Sequence, residues 1–182
     1  FEGAPMTDLL RTYAYVDGLN LYYRAVRGTA HKWLDLRALF QSLLRPQNDI
    51  IKIRHFTADV SGRRDPSAPH RQQAYLRALG TYPIVSIHKG NFLVSAKWAE
   101  IASPPCQFLR PNPVVVYVVK TEEKGSDVNL AAHLLSDAFN DRFDVAVVLS
   151  NDTDLVEPMR MVRDEIRKPV GLICPSPKPA ES

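Results

Sequence analysis

An α/β fold, with a mainly parallel central sheet flanked by helices, is what this sequence predicts, on three observations. Short runs rich in β-branched residues alternate with stretches of helical periodicity, the pattern of strand–helix–strand units. One of the runs, VAVVL at 145–149, is apolar throughout, as a strand buried on both faces must be. The chain has 182 residues, 45% hydrophobic and 24% charged, which suits one globular domain and excludes a disordered chain or a coiled coil.

The elements follow in order. Residues 13–16 are a short β-prone run that stops at Asp17-Gly18. Leu19, Leu21 and Tyr22, then Trp33, Leu36, Leu39, Phe40 and Leu43, recur at near-helical spacing. IIKIRHFTA at 50–58 reads as a second strand, 61–69 as a polar loop and 70–79 as a helix. Strands are expected at 84–88 and 114–119, separated by a polar stretch broken at Pro104-Pro105. Residues 126–139 give the clearest helix, 144–149 a buried strand, 155–167 a last helix and 170–174 a closing strand. Residues 1–5, ahead of Met6, read as a cloning remnant, 6–175 as the domain, and 176–182 as a proline-rich polar tail.

Composition narrows the function classes. The net charge of +3 permits a polyanionic partner without demanding one. The longest apolar run, VVVYVV at 114–119, is far short of the ~20 residues that span a bilayer, so no membrane partner is expected. No cationic segment followed by an apolar one opens the chain, which points to a cytoplasmic protein. Cys106 and Cys174 make neither a disulfide framework nor a CxxC pair.

The informative feature is where the aspartates fall. Asp17 follows the first strand, and Asp152 and Asp154 follow the strand ending at Leu149. In open parallel sheets, ligands bind outside the carboxyl ends of the strands. Asp127 shares a helical stripe with Leu130, Ala131, Leu134 and Ala138, so it starts on the sheet-facing side, with Ser126 as N-cap. Converging carboxylates ~4 Å apart repel by about 4 kcal/mol at an effective dielectric near 20, so a cation is expected among them. Oxygen ligands without a His/Cys pattern suit Mg²⁺ or Mn²⁺, the usual apparatus for activating water against a phosphodiester. Taken singly, each acid has a plainer reading: Asp17-Gly18 as a turn, Asp127 and 150–154 as acids serving helix dipoles. Asn20 either orients Asp17 or caps the next helix, Ser150 either bridges carboxylate and substrate or ends the strand, and Lys124 offsets the acids.

Three segments carry a family resemblance. Tyr15-Val16-Asp17-Gly18-Leu19-Asn20, Glu123-Lys124-Gly125-Ser126-Asp127-Val128 and Ser150-Asn151-Asp152-Thr153-Asp154-Leu155 resemble, in order, the VDGxN, KGxDV and SxDxD motifs of NYN domains, LabA-like members of the PIN-like nucleases. The resemblance spans about 13–175. It implies a PIN-like three-layer sandwich and metal-dependent RNA cleavage; an endoribonuclease is expected, in which metal-activated water attacks the phosphorus in line and leaves a 5′-phosphate. Asp17, Asp127 and Asp152 would be the metal ligands, and Asp154 a fourth catalytic acid. One position departs: many relatives carry another Asp six residues after the central one, where this chain has His133. His133 is expected to be exposed and paired at i, i+4 with Asp137.

RNA contacts are expected from the basic loop and its surroundings, through Arg63, Arg64, Arg71 and Lys89, beside aromatics such as Tyr75, Phe92 and Trp98. A homodimer stays open. A haloacid-dehalogenase type phosphatase would want an acid at position 19, which is Leu, and no GxxxxGK[ST] or GxGxxG supports a nucleotide cradle. The stronger alternative is a PIN-like module that binds RNA or protein without cutting.

Overall fold

The structure is a computed structural model, and it describes residues 9–63, 65–101 and 115–175. The expected remnant at 1–5 and the tail at 176–182 lie outside the described residues, as do Arg64 and Cys106. Six strands form one sheet: β1 (Leu10–Asp17), β2 (Asn48–Ala58), β3 (Val85–Glu100), β4 (Val115–Lys124), β5 (Val145–Leu149) and β6 (Val170–Ile173). Their spatial order is β4-β3-β2-β1-β5-β6. All neighbours run parallel except β3 and β4, which pair antiparallel. The sheet is therefore mixed but mainly parallel, as the alternating pattern predicts.

Alternation along β1 sends successive residues to opposite faces, and each face has its own apolar core. Ala14 and Val16 pack with Leu36, Phe40, Leu76 and Leu79 of α2 (Leu36–Leu43) and α3 (Ala68–Leu79). Tyr15 packs on the other side with Phe56, Leu130 and Leu134, the last two from α4 (Ser126–Phe139). The stripe read from the sequence is the buried face of α4: Leu130, Leu134 and Ala138 are all buried.

Two expectations fail locally. The periodicity after Asp17 yields only a short α1 (Gly18–Leu21) running into a π-helical turn (Tyr22–Val26), and the next helix starts at Leu36. Residues 89–100, expected as loop, instead prolong β3, which pairs with β4 from Asn91↔Lys124 to Glu100↔Val115. The parallel pairing of β3 with β2 stops at Gly90, so beyond it β3 and β4 form a two-stranded ribbon with no further strand beside it among the described residues. A strand wetted on both faces need not alternate apolar with polar, and the sequence hides it for that reason.

Candidate active site

The registers bring the acids together. Val16 is paired with Leu149, so the segment after β5 emerges beside Asp17, the last residue of β1 and N-cap of α1. Asp17 is 5% exposed. Its Oδ1 accepts from the Asn20 backbone N–H (2.9 Å) and its Oδ2 from the Ser150 hydroxyl (2.9 Å). The Ser150 oxygen in turn accepts from the Asp152 N–H (3.1 Å). Ser150, fully buried, thus ties the two strand ends to one carboxylate. Asn20 donates its Nδ2 to Asn151 Oδ1 (2.6 Å), which leaves its own Oδ1 buried without a partner. Of the two roles open to Asn20 only the first is filled: its backbone N–H fixes Asp17, and Asp17 rather than Asn20 caps the helix.

From the other side come β4 and α4. The N-cap of α4 is Gly125, at φ 98°, a left-handed conformation that favours glycine. Ser126 is not the cap; it is the first helical residue, and Glu123 takes the capping role. Glu123 Oε1 accepts the Ser126 N–H (3.1 Å) and Oε2 its hydroxyl (2.7 Å). Gly90 makes room for this, since a Cβ there would overlap the Glu123 carboxylate and lie 2.7 Å from the Lys124 carbonyl oxygen. Asp127, half-buried on the first turn, has its carboxyl raised to about 6, first by desolvation and then by the charges of Asp17, Asp152 and Glu123. The Asp17 carboxyl is raised too, by burial against the opposing pull of its two hydrogen bonds, and by Asp152 and Glu123. The charges of Asp152 and Glu123 therefore bear on Asp17 and Asp127 at the carboxyl edge of the sheet.

The other expected residues are placed differently. Asp154 is exposed, donates its N–H to Asp152 Oδ1 (3.0 Å), and is not among the charges acting on Asp17 or Asp127. Lys124 lies 3.5 Å from Glu122. Arg71 is ion-paired with Asp65 and Lys89 with Asp59 (2.7 Å), so much of the loop's charge is compensated locally. Arg63 is exposed.

His133 is a correction. It is half-buried, its ring centroid 4.2 Å from that of His88 and 5.7 Å from that of Phe56. Its expected partner Asp137 is fully buried and already taken: it accepts from Tyr15 Oη (2.8 Å), Arg54 Nε (2.6 Å) and Nη2 (2.9 Å), and Arg142 Nη1 (3.0 Å). Asp137 lies on the sheet-facing side of α4, where an unpaired carboxylate would be prohibitive, and Arg54 of β2 meets it. Burial and the Arg54 charge lower His133, and burial with His133 lowers His88 to about 4, so both rings are neutral at pH 7.

Glu123 was missed in the sequence. Its signal was there, a carboxylate three residues before the first residue of a helix and inside the central motif, but only the fold shows it facing Asp17 and Asp127.

Comparison with known proteins fits this arrangement. The NYN domain family model matches residues 11–182. The chain is 30% identical over 190 residues to a 6-hydroxy-3-succinoylpyridine 3-monooxygenase from Pseudomonas putida, across 93% of this chain and 61% of that protein. It thus spans about three fifths of that relative's length. A crystal structure of a Vibrio parahaemolyticus protein of unknown function shares the fold at a TM-score of 0.52 and 12% identity, over 94% of this chain and 85% of that one. With motifs, topology and match in agreement over nearly the whole chain, this protein belongs to the NYN domain family, generally a nuclease-like domain.

Proposed function

We propose that the domain is a PIN-like, metal-dependent ribonuclease hydrolysing RNA phosphodiester bonds at the carboxylates of Asp17, Asp127 and Asp152. The observation that carries this is the convergence of four acids, from β1, β4, α4 and the segment after β5: the Asp17 and Asp127 carboxyls are raised, first by burial and then by the charges of Asp152 and Glu123 around them. Such a cluster is relieved by a proton or by a cation. Its donors fit a hard divalent ion in kind: carboxylate oxygens, and the unpartnered Asn20 Oδ1 beside them. Among the described residues no three His, Cys, Asp or Glu side chains stand as a closed metal site. Asp17 is held by two hydrogen bonds, while Asp127 and Asp152 are only half-buried.

Mg²⁺ or Mn²⁺ held by Asp17, Asp127 and Asp152 would supply a water of lowered pKa and polarise a phosphoryl oxygen. The protein's part is positioning. Ser150 and the Asn20 N–H hold Asp17 as the fixed ligand, Asp127 and Asp152 complete the set, and Glu123 keeps the first turn of α4 in place. Asp154, exposed beside them, acts through Asp152 or through water. The test is labelled RNA incubated with Mn²⁺ or with chelator. Chelator-sensitive fragments with 5′-phosphates are expected, and their absence on every RNA offered sinks the enzyme reading.

The similarity to the monooxygenase favours a second reading, oxygenation of a hydroxylated pyridine. Oxygen uptake with 6-hydroxy-3-succinoylpyridine and a reduced nicotinamide donor, with no RNA product, would select it.

A further inference from the structure

The ribbon formed by β3 and β4 beyond Gly90 has two unlike faces. Directly opposed residues of an antiparallel pair share a face, and alternate residues go to opposite faces. The register Trp98↔Tyr117, with Val94↔Thr121 and Ala96↔Val119, gives one face that is apolar and aromatic along its middle, with an acid at each end in Phe92↔Glu123 and Glu100↔Val115. Lys97↔Val118, Ser95↔Lys120, Leu93↔Glu122 and Asn91↔Lys124 give the other, which is cationic.

On that cationic face three ammonium groups share one carboxylate. Glu122 lies 3.9 Å from Lys97 and 3.5 Å from Lys124, and closer still to Lys120. Three positive charges against one leave a surplus of two. The crowding has a cost: the Lys120 ammonium beside Lys97 holds it below its ordinary value. Arg71 and Lys89 each face an acid one-to-one, whereas on this face of the ribbon three lysines share Glu122. The lysines are about half exposed and open to a ligand. The base of this face abuts the acid site, because Lys124 is followed directly by Gly125 and the first turn of α4 with Asp127, while Glu123, paired with Phe92, belongs to the ribbon's other face. At ~3.3 Å per residue, Lys97 stands about 20 Å along the ribbon from the Asn91–Lys124 pair at its base.

We propose that the lysine face of the β3–β4 ribbon binds the phosphate backbone of single-stranded RNA and leads it to the carboxylates. The direction of that track rests on the nuclease reading; the binding itself does not. Three exposed ammonium groups against one carboxylate favour a polyanionic strand over a protein partner, which the apolar face would suit better.

The experiment compares the parent with Lys97→Ala/Lys120→Ala and Trp98→Ser/Tyr117→Ser. Affinity for a labelled single-stranded RNA is read by fluorescence anisotropy in chelator across a salt series. Hydrolysis of bis(p-nitrophenyl) phosphate with Mn²⁺, a diester too short to reach the ribbon, is read in parallel. The lysine variant is expected to bind more weakly and to lose up to about 1.4 from the log–log salt slope, at about 0.7 per phosphate contact. Its hydrolysis of the small diester should match the parent. Parental affinity and slope in the lysine variant overturn the proposal, as does an affinity loss confined to the Trp98/Tyr117 variant. A parent that binds RNA with the lysine-dependent slope but hydrolyses no diester supports the ribbon and removes the nuclease reading. A parent that hydrolyses while the ribbon variant binds normally does the reverse.

Discussion

Asp127→Asn separates a site acid from a helix acid. The exchange keeps the side chain's shape and removes one negative charge facing Asp17, Asp152 and Glu123. A carboxyl at about 6 against the ordinary 3.8 corresponds to about 3 kcal/mol at full weight. Half of the side chain is in water, and screening brings this to about 1 kcal/mol. The sign follows from proton binding. Because the folded-state value is raised, the native protein holds more protons than the unfolded chain between about pH 4 and 6, so stability falls as pH rises through that window. The penalty is absent below it and complete above it. In chelator at pH 7.5, Asp127→Asn should therefore melt about 2–4 °C above the parent, and at pH 3.5 the two should coincide. Thermal scans at the two pH values read this directly. An acid serving only the helix dipole contributes about 0.3–1 kcal/mol in the other direction, so its loss lowers the melting temperature at pH 7.5. That result, with cleavage and the Mn²⁺-induced stabilisation of the parent retained in the variant, would refute the reasoning.

Other predictions follow from the same contacts. Asp137→Ala strands the Arg54 guanidinium and the Tyr15 hydroxyl inside the sheet–α4 interface, and should destabilise by about 3–5 kcal/mol in urea titrations. Ser150→Ala removes the donor to Asp17 and the acceptor for Asp152, and should cost about 1–3 kcal/mol of stability and at least tenfold in cleavage rate. Gly90→Ala pushes Glu123 off the first turn of α4, and should cost about 1–3 kcal/mol by overpacking while lowering cleavage. A Gly90→Ala protein with parental melting and activity would show that Glu123 has no such role.

What the sequence shows best is what burial dictates. VAVVL had to be a central strand, and Leu130, Leu134 and Ala138 had to face the sheet, because apolar patterning is a direct record of the core. With those elements placed, Asp17, Asp127 and Asp152 fall at one edge by topology alone. The ribbon was hidden because both its faces are wet, and α1 because a short helix held by an Asp17 cap and a π-helical turn leaves little periodicity. The burial of His133 is not legible in α4 alone because its neighbours, Phe56 and His88, come from the strands β2 and β3 beneath the helix. Glu123 was quoted within its motif, but its charge counts only where Gly90 lets β3 close on it.

The central claim is that the carboxylates at the sheet edge bind a divalent cation, and calorimetric titration of Mn²⁺ at pH 6 in buffers of different ionisation enthalpy tests it most directly. One ion per chain is expected, with roughly half a proton released on binding, because metal ligands must be deprotonated and Asp127 is half-protonated near that pH. Asp127→Asn should bind more weakly and release far less of that proton. No saturable Mn²⁺ binding by the parent, or binding that Asp17→Asn and Asp127→Asn both leave unchanged, contradicts the account.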